Sequence, residues 1–150
     1  MTEHIDDSTI EIGGYRLQLT LVDLVDLTLQ IQHLRWNLID EESLRSQLDD
    51  FDALVRASSD TVATRLRELG LAPDGRISTA YLDQLFVPLP PGPIDAETAV
   101  TAFTHRLSQL GSRIRESMQV LERHDPESEQ TLRVINAEIS QWTERFTSSR

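Results

Sequence analysis

Leu71-Ala72-Pro73-Asp74-Gly75-Arg76-Ile77, leading into Pro88-Leu89-Pro90-Pro91-Gly92-Pro93, is the stretch that decides the architecture. Pro73-Asp74-Gly75 is a turn signal. The prolines at 88, 90, 91 and 93 forbid a continuous helix, because each lacks an amide hydrogen and clashes with the preceding turn. Between them, Ile77 to Phe86 has room for one short amphipathic helix. The whole segment is long for a loop in a compact domain. It predicts a crossover running the length of a bundle.

Outward from that segment the pattern is helical on both sides. Upstream, Tyr15 to Leu38 carries Leu17, Leu21, Leu24, Ile31 and Leu34 at three- and four-residue steps, one apolar helix face. Leu19, Val22, Val25 and Leu29 widen it, so this helix is predicted to be buried on more than one side. Gly13-Gly14 reads as a breaker before it, leaving residues 1–14 as a flexible tail and 15–150 as the folded domain. A second helix is predicted from Asp40 to Leu69. Asp40, Glu41 and Glu42 place negative charge at its partially positive end, and Gly70 stops it. Downstream, Asp95 to Arg123 carries Val100, Phe103, Leu107, Leu110 and Ile114 on one side. The last helix opens at Asp125-Pro126-Glu127, an Asp cap followed by proline at the first helical position. Two short links and one long central link define an all-α, ferritin-like antiparallel four-helix bundle, its crossover joining the second and third helices.

The 150 residues suit one domain, with 39% hydrophobic and 26% charged side chains. Cysteine is absent, which excludes disulfides, thiolate metal sites and cysteine nucleophiles. The polar, acidic start predicts neither a signal peptide nor a membrane anchor, so a cytoplasmic location is expected. All 14 basic residues are arginine, against 25 acids, for a net charge of −11. That surface should repel phosphate backbones and attract cations, or simply keep the protein soluble.

Ile31-Gln32-His33-Leu34-Arg35-Trp36-Asn37 resembles the first-helix signature of the Dps mini-ferritins, commonly His-x-His-Trp-Asn. Leu54-Val55-Arg56, Asp60-Thr61-Val62-Ala63-Thr64-Arg65 and Leu69-Gly70 are similar to that family's second-helix run. Asp125-Pro126-x-Ser128…Leu132 and Trp142 are similar to its last helix. The ordered set covers nearly the whole chain. It implies a homo-oligomeric shell, a dodecamer built from two-fold dimers, that handles iron and protects against starvation or oxidative stress. The family's ferroxidase centre draws two histidines and an aspartate from one subunit, and an aspartate and a glutamate from its two-fold mate. Matched along the motifs, with a two-residue deletion after Asn37, those positions fall on Arg35, Arg45, Asp49, Asp60 and Thr64.

Spacing agrees with a site shared between copies. Arg45 and Asp49 are one turn apart on a helix face, as are Asp60 and Thr64. Asp49 and Asp60 lie about three turns apart, roughly 16 Å along the axis. One helix cannot gather both round one ion, whereas two antiparallel copies about a two-fold axis can. The chemistry has changed, however. Guanidinium has no lone pair to offer a metal and repels a dication. Arg35 and Arg45 are therefore expected to cross-brace Asp49 and Asp60 of the neighbouring subunit in place of iron. Asp49 and Asp60 remain the only ligand-type residues of the five, so iron, if bound, is expected away from the usual dinuclear site. No haem is expected.

Several residues carry two readings. His33 is either a surface or interface histidine or a residual metal contact, and Trp36 and Trp142 are core or interface aromatics or radical quenchers. His4, with Asp6 and Asp7, is either a loose metal holder or a disordered terminus; His105 and His124 receive no role. Asp125 matches a carboxylate lining the family's three-fold, iron-admitting pore, with Glu127 and Glu129 nearby and Gln130 at the second pore position. Asp125 and Glu127 equally cap and complement a helix start. Glu41, Glu42, Asp50 and Asp52 face either a mineral cavity or solvent. The first eleven residues contain no arginine or lysine and several acids, so direct DNA binding is not expected. The leading expectation is a shell subunit whose intrinsic ferroxidase activity is lost or weak. The alternatives are an inactive structural subunit co-assembling with an active paralogue, and a helical interaction module that forms no shell.

Overall fold

The computed structural model describes residues 6–82 and 88–148, leaving aside the side chains of residues 81 and 82. His4 and the second half of the expected Ile77–Phe86 helix lie outside the described residues. The elements are α1 (Asp7–Asn37), α2 (Glu42–Glu68), α3 (Ile77–Leu82), α4 (Ala96–His124) and α5 (Pro126–Ser148). The chain is an all-α, ferritin-like four-helix bundle, as expected.

Two local features show why the long helices end where they do. At the end of α2, Leu71 N donates to Leu66 O and Gly70 N to Arg67 O, with Gly70 at φ +81°. This is the glycine-terminated stop predicted at Gly70. At the start of α4, Asp95 Oδ1 accepts from Thr98 N at 2.8 Å, so Asp95 is the cap and the helix begins one residue later. The second helix begins at Glu42 rather than Asp40, because Asp40 takes φ +49° in the tight link from α1. Aspartate is one of the few side chains that tolerate that conformation.

The Gly13-Gly14 breaker is corrected: α1 begins at Asp7 and passes straight through both glycines, so residues 7–14 belong to the bundle rather than to a tail. Close packing explains why glycine stands there. A Cβ on Gly13 would sit 3.1 Å from Asp125 Oδ2, and one on Gly14 only 2.3 Å from Leu71 Cδ1. Each glycine costs about 1 kcal/mol of helix propensity and in return lets neighbouring chain approach.

The crossover is anchored to α1 at two places, one inside the helix and one at its C-terminal end. Gln18 Nε2 donates to Asp74 O at 2.8 Å and Asp74 N to Gln18 Oε1 at 3.0 Å. At the far end, Ile94 N donates to Asn37 O and Ile39 N to Ile94 O, a single parallel bridge at Leu38 and Ile94. Gln18 and Asn37 are roughly 28 Å apart along the helix axis, so the connection spans most of the bundle. With α3 packed on it, α1 is buried on more than one side, Leu19 and Val22 included.

The core is leucine-rich through the middle and aromatic at one end. Phe51, Phe103 and Phe146 pack edge-to-face at 5.5–5.9 Å, and Trp142 lies 5.4 Å from Phe51. Between α1 and α4 the core is crossed by two ion pairs, Asp26–Arg106 at 2.8 Å and Asp23–Arg113 at 3.1 Å. Burial lowers the Arg106 pKa, partly countered by the charge on Asp26.

Candidate functional site

The five positions matched to the ferroxidase centre lie on α1 and α2, in two groups. In the first, Arg35 near the end of α1 meets Asp49 on α2, with Arg35 Nε 2.6 Å from Asp49 Oδ1. Both side chains are substantially exposed, at 38% and 55%. Within the single chain the arginine therefore pairs with its own aspartate. Arg45 turns elsewhere: Nε donates to Arg35 O at 3.2 Å, Nη2 donates to Leu38 O, and Nη1 meets Glu42 at 2.8 Å. It satisfies the carbonyls that every helix leaves unpaired at its C-terminus. The expected cross-brace thus has a local substitute in each chain: Arg35 on Asp49, and Arg45 on the last turn of α1.

The second group is Asp60 and Thr64. Both are exposed, and Thr64 Oγ1 donates to Asp60 O at 2.8 Å, a back-bond along the helix. A threonine so engaged is a poor replacement for a glutamate ligand. Among the described residues, no three His, Asp, Glu or Cys side chains converge within the single chain to hold a metal ion.

His33 has a structural partner. Its Nε2 is 2.8 Å from Pro90 O, and Asn37 Nδ2 donates to His33 O at 2.9 Å. The residue ties the crossover to α1, a tie invisible in the sequence because it spans 57 positions. Trp36 is 73% exposed in the single chain, which removes the core reading. Ile39, close by in sequence, is 50% exposed. Trp142 is half-buried in the aromatic end, with the Arg145 guanidinium 4.2 Å over its ring.

The expected pore residues separate. Asp125 is 4% exposed. Its carboxylate accepts from Arg65 Nη2 at 3.0 Å, from Ser128 N at 3.3 Å and from Ser128 Oγ. Arg65 Nε in turn donates to Ser128 Oγ at 2.9 Å. Asp125 is thus a buried cap holding the end of α2 to the start of α5, and it lines no open surface of the subunit. Arg65, the hub, was not singled out by sequence. Burial alone would lower its pKa, but Glu68, Asp125 and Glu127 outweigh this and raise it. Glu129 is 8% exposed and paired with Arg133, whereas Glu127 is exposed and 3.2 Å from Arg65. Glu42 and Asp50 are exposed, while Glu41 and Asp52 are half-buried, Asp52 meeting Arg56 at 2.8 Å.

No family model matches the sequence. The chain is 29% identical over 133 residues to DNA protection during starvation protein 2 of Deinococcus radiodurans. That match covers 86% of this chain but spans only about half, 55%, of the curated relative's length. Among solved structures, Dps92 from Deinococcus radiodurans superposes with a TM-score of 0.90 at 24% identity, covering 94% of this chain and 87% of its own. A Dps from Microbacterium arborescens, in a high iron form, superposes with a TM-score of 0.90 at 17% identity, over 99% and 98% of the two chains. At those identities the structures establish the fold. The sequence relative carries the same family name as the motif resemblance.

Proposed function

We propose that this Dps-family chain is a mini-ferritin shell subunit that stores iron and protects against starvation or oxidative stress, with little or no ferroxidase activity of its own. One observation carries the second half of that reading: the Arg35–Asp49 pair at 2.6 Å occupies positions where a ferrous centre needs a histidine and a carboxylate. A fixed cation there neutralises the carboxylate without offering a donor atom. Iron, the substrate and cargo of such a shell, would then be oxidised by dissolved oxidant or on a growing mineral surface rather than at a dinuclear site.

The exposed Trp36 and Ile39 favour assembly over a free-standing module, since an isolated subunit gains nothing from leaving an indole in water. The expected assembly is a closed dodecamer. Among the described residues no helix is long and apolar enough to cross a membrane. Light scattering on the purified protein, followed by aerobic iron loading, tests the reading. A twelve-subunit mass that takes up many iron atoms per shell is expected. A monomer, or a shell that leaves the iron to precipitate as it does without protein, would contradict it. A twelve-subunit mass reached only when an active paralogue is added would instead identify the chain as a structural partner.

A further inference from the structure

The hairpin of α1 and α2 carries an apolar knob at one end and an apolar recess at the other. The knob is Trp36, in the last turn of α1, and Ile39 just beyond it, 73% and 50% exposed. The recess, about 360 Å³, opens between the start of α1 and the end of α2. Ile10, Gly14, Tyr15 and Gln18 line one wall, Leu66 and Leu71 the other. Tyr15 is itself 64% exposed.

Knob and recess face the same way. Trp36 and Gln18 are about five full turns apart, so they share one side of α1. They are also separated by roughly 27 Å, so no chain can cover its own recess. Charge divides in the same manner. Glu42, its side chain 89% exposed, stands one turn of α2 from the link that holds Ile39, and the exposed Arg67 follows Leu66. Glu42 and Arg67 are about seven turns apart and again share one helix face.

We infer that the recess is filled by the knob of a second copy, exchanged reciprocally about a two-fold axis. Ile39 and Trp36 of each copy close the recess of the other, and Glu42 of each meets Arg67 of the other. The inference rests on the reading of the chain as a shell subunit and names the contact that builds its two-fold pair. An isologous pair makes every contact twice, so both apolar surfaces leave water together. A foreign partner that filled the recess would leave the knob exposed. The axis midway between Glu42 and Arg67 on α2 is also midway between Asp49 and Asp60. One axis therefore serves the opposite charges and the matched iron positions alike.

Because the chain has no cysteine, two introduced thiols read this contact directly. In a Tyr15→Cys, Ile39→Cys double variant, the two positions lie more than roughly 30 Å apart within one chain, beyond the reach of a short bis-maleimide. Treating the assembled full-length variant with that reagent is expected to give covalent dimers, at least tenfold more than either single variant gives. Reciprocal exchange closes on itself, so the products should stop at the dimer, whereas a head-to-tail contact gives a ladder of longer products. In a protein whose light-scattering mass is that of a shell, a ladder, or no more dimer than the single variants give, would overturn the inference and leave the shell reading standing. A native protein that is monomeric would overturn both.

Discussion

At the scale of single residues, the two adjacent glycines of α1 make opposite predictions. A methyl on Gly14 meets only Leu71 Cδ1, the far end of a flexible side chain that can rotate away. Gly14→Ala should therefore be close to neutral, the repacking cost and the helix-propensity gain of about 1 kcal/mol offsetting each other. A methyl on Gly13 meets Asp125 Oδ2, which Arg65 and Ser128 hold in place. Gly13→Ala should destabilise by about 1–3 kcal/mol in urea unfolding despite the same propensity gain. The hub itself is more sensitive. Arg65→Ala leaves the buried Asp125 carboxylate without its cation and should cost about 3–5 kcal/mol by the same measurement. The sequence disclosed Asp125 as a helix start, because capping is local. It did not disclose Arg65 as the partner, because their pairing spans 60 positions and exists only once α2 and α5 are packed.

Among the elements, the crossover was legible and its anchors were not. Proline placement set its extent, whereas the Gln18–Asp74 and His33–Pro90 contacts depend on which face of α1 the segment follows. His33→Ala should leave the fold intact while loosening that segment. Limited proteolysis is expected to cut near Pro88–Pro93 faster in the variant, and an unchanged rate would remove His33 from that role. The α4 cap adds a pH dependence. Hydrogen bonds from Thr98, backbone first and side chain second, lower the pKa of Asp95. A lowered carboxylate pKa stabilises the fold above the unfolded value, about 3.9, and that contribution is lost as pH falls through the folded value. Asp95→Asn keeps a capping oxygen without the charge. The variant's thermal midpoint should accordingly fall less than that of the parent between pH 5 and pH 3 (the window set by that unfolded value). The glycine pair misled the reading of α1 for a related reason: a helix-breaking residue and a close-packing residue look alike until the neighbour is known.

For the whole molecule, helical periodicity and connection lengths were enough to give the bundle, since both are properties of the chain itself. The reading of Arg35 and Arg45 as a substitution of chemistry rests on the family resemblance and on the lack of a lone pair in a guanidinium, and belongs to the proposal. What the arginines hold instead was not legible: Arg35 takes Asp49 of its own chain, and Arg45 closes the end of α1. The buried pairs Asp23–Arg113 and Asp26–Arg106 had a faint signal, two aspartates inside a leucine run and two arginines two turns apart on α4. They tie α1 to α4 at two buried points, and removing one partner of either pair would leave an uncompensated buried charge. The most direct test of the central claim is stopped-flow oxidation of ferrous iron added anaerobically at two ions per subunit, then mixed with dioxygen or hydrogen peroxide. With guanidinium groups at positions 35 and 45, the optical signal of ferric iron should grow only at the slow, protein-independent rate. A fast phase that saturates at a fixed number of ions per subunit would contradict the account.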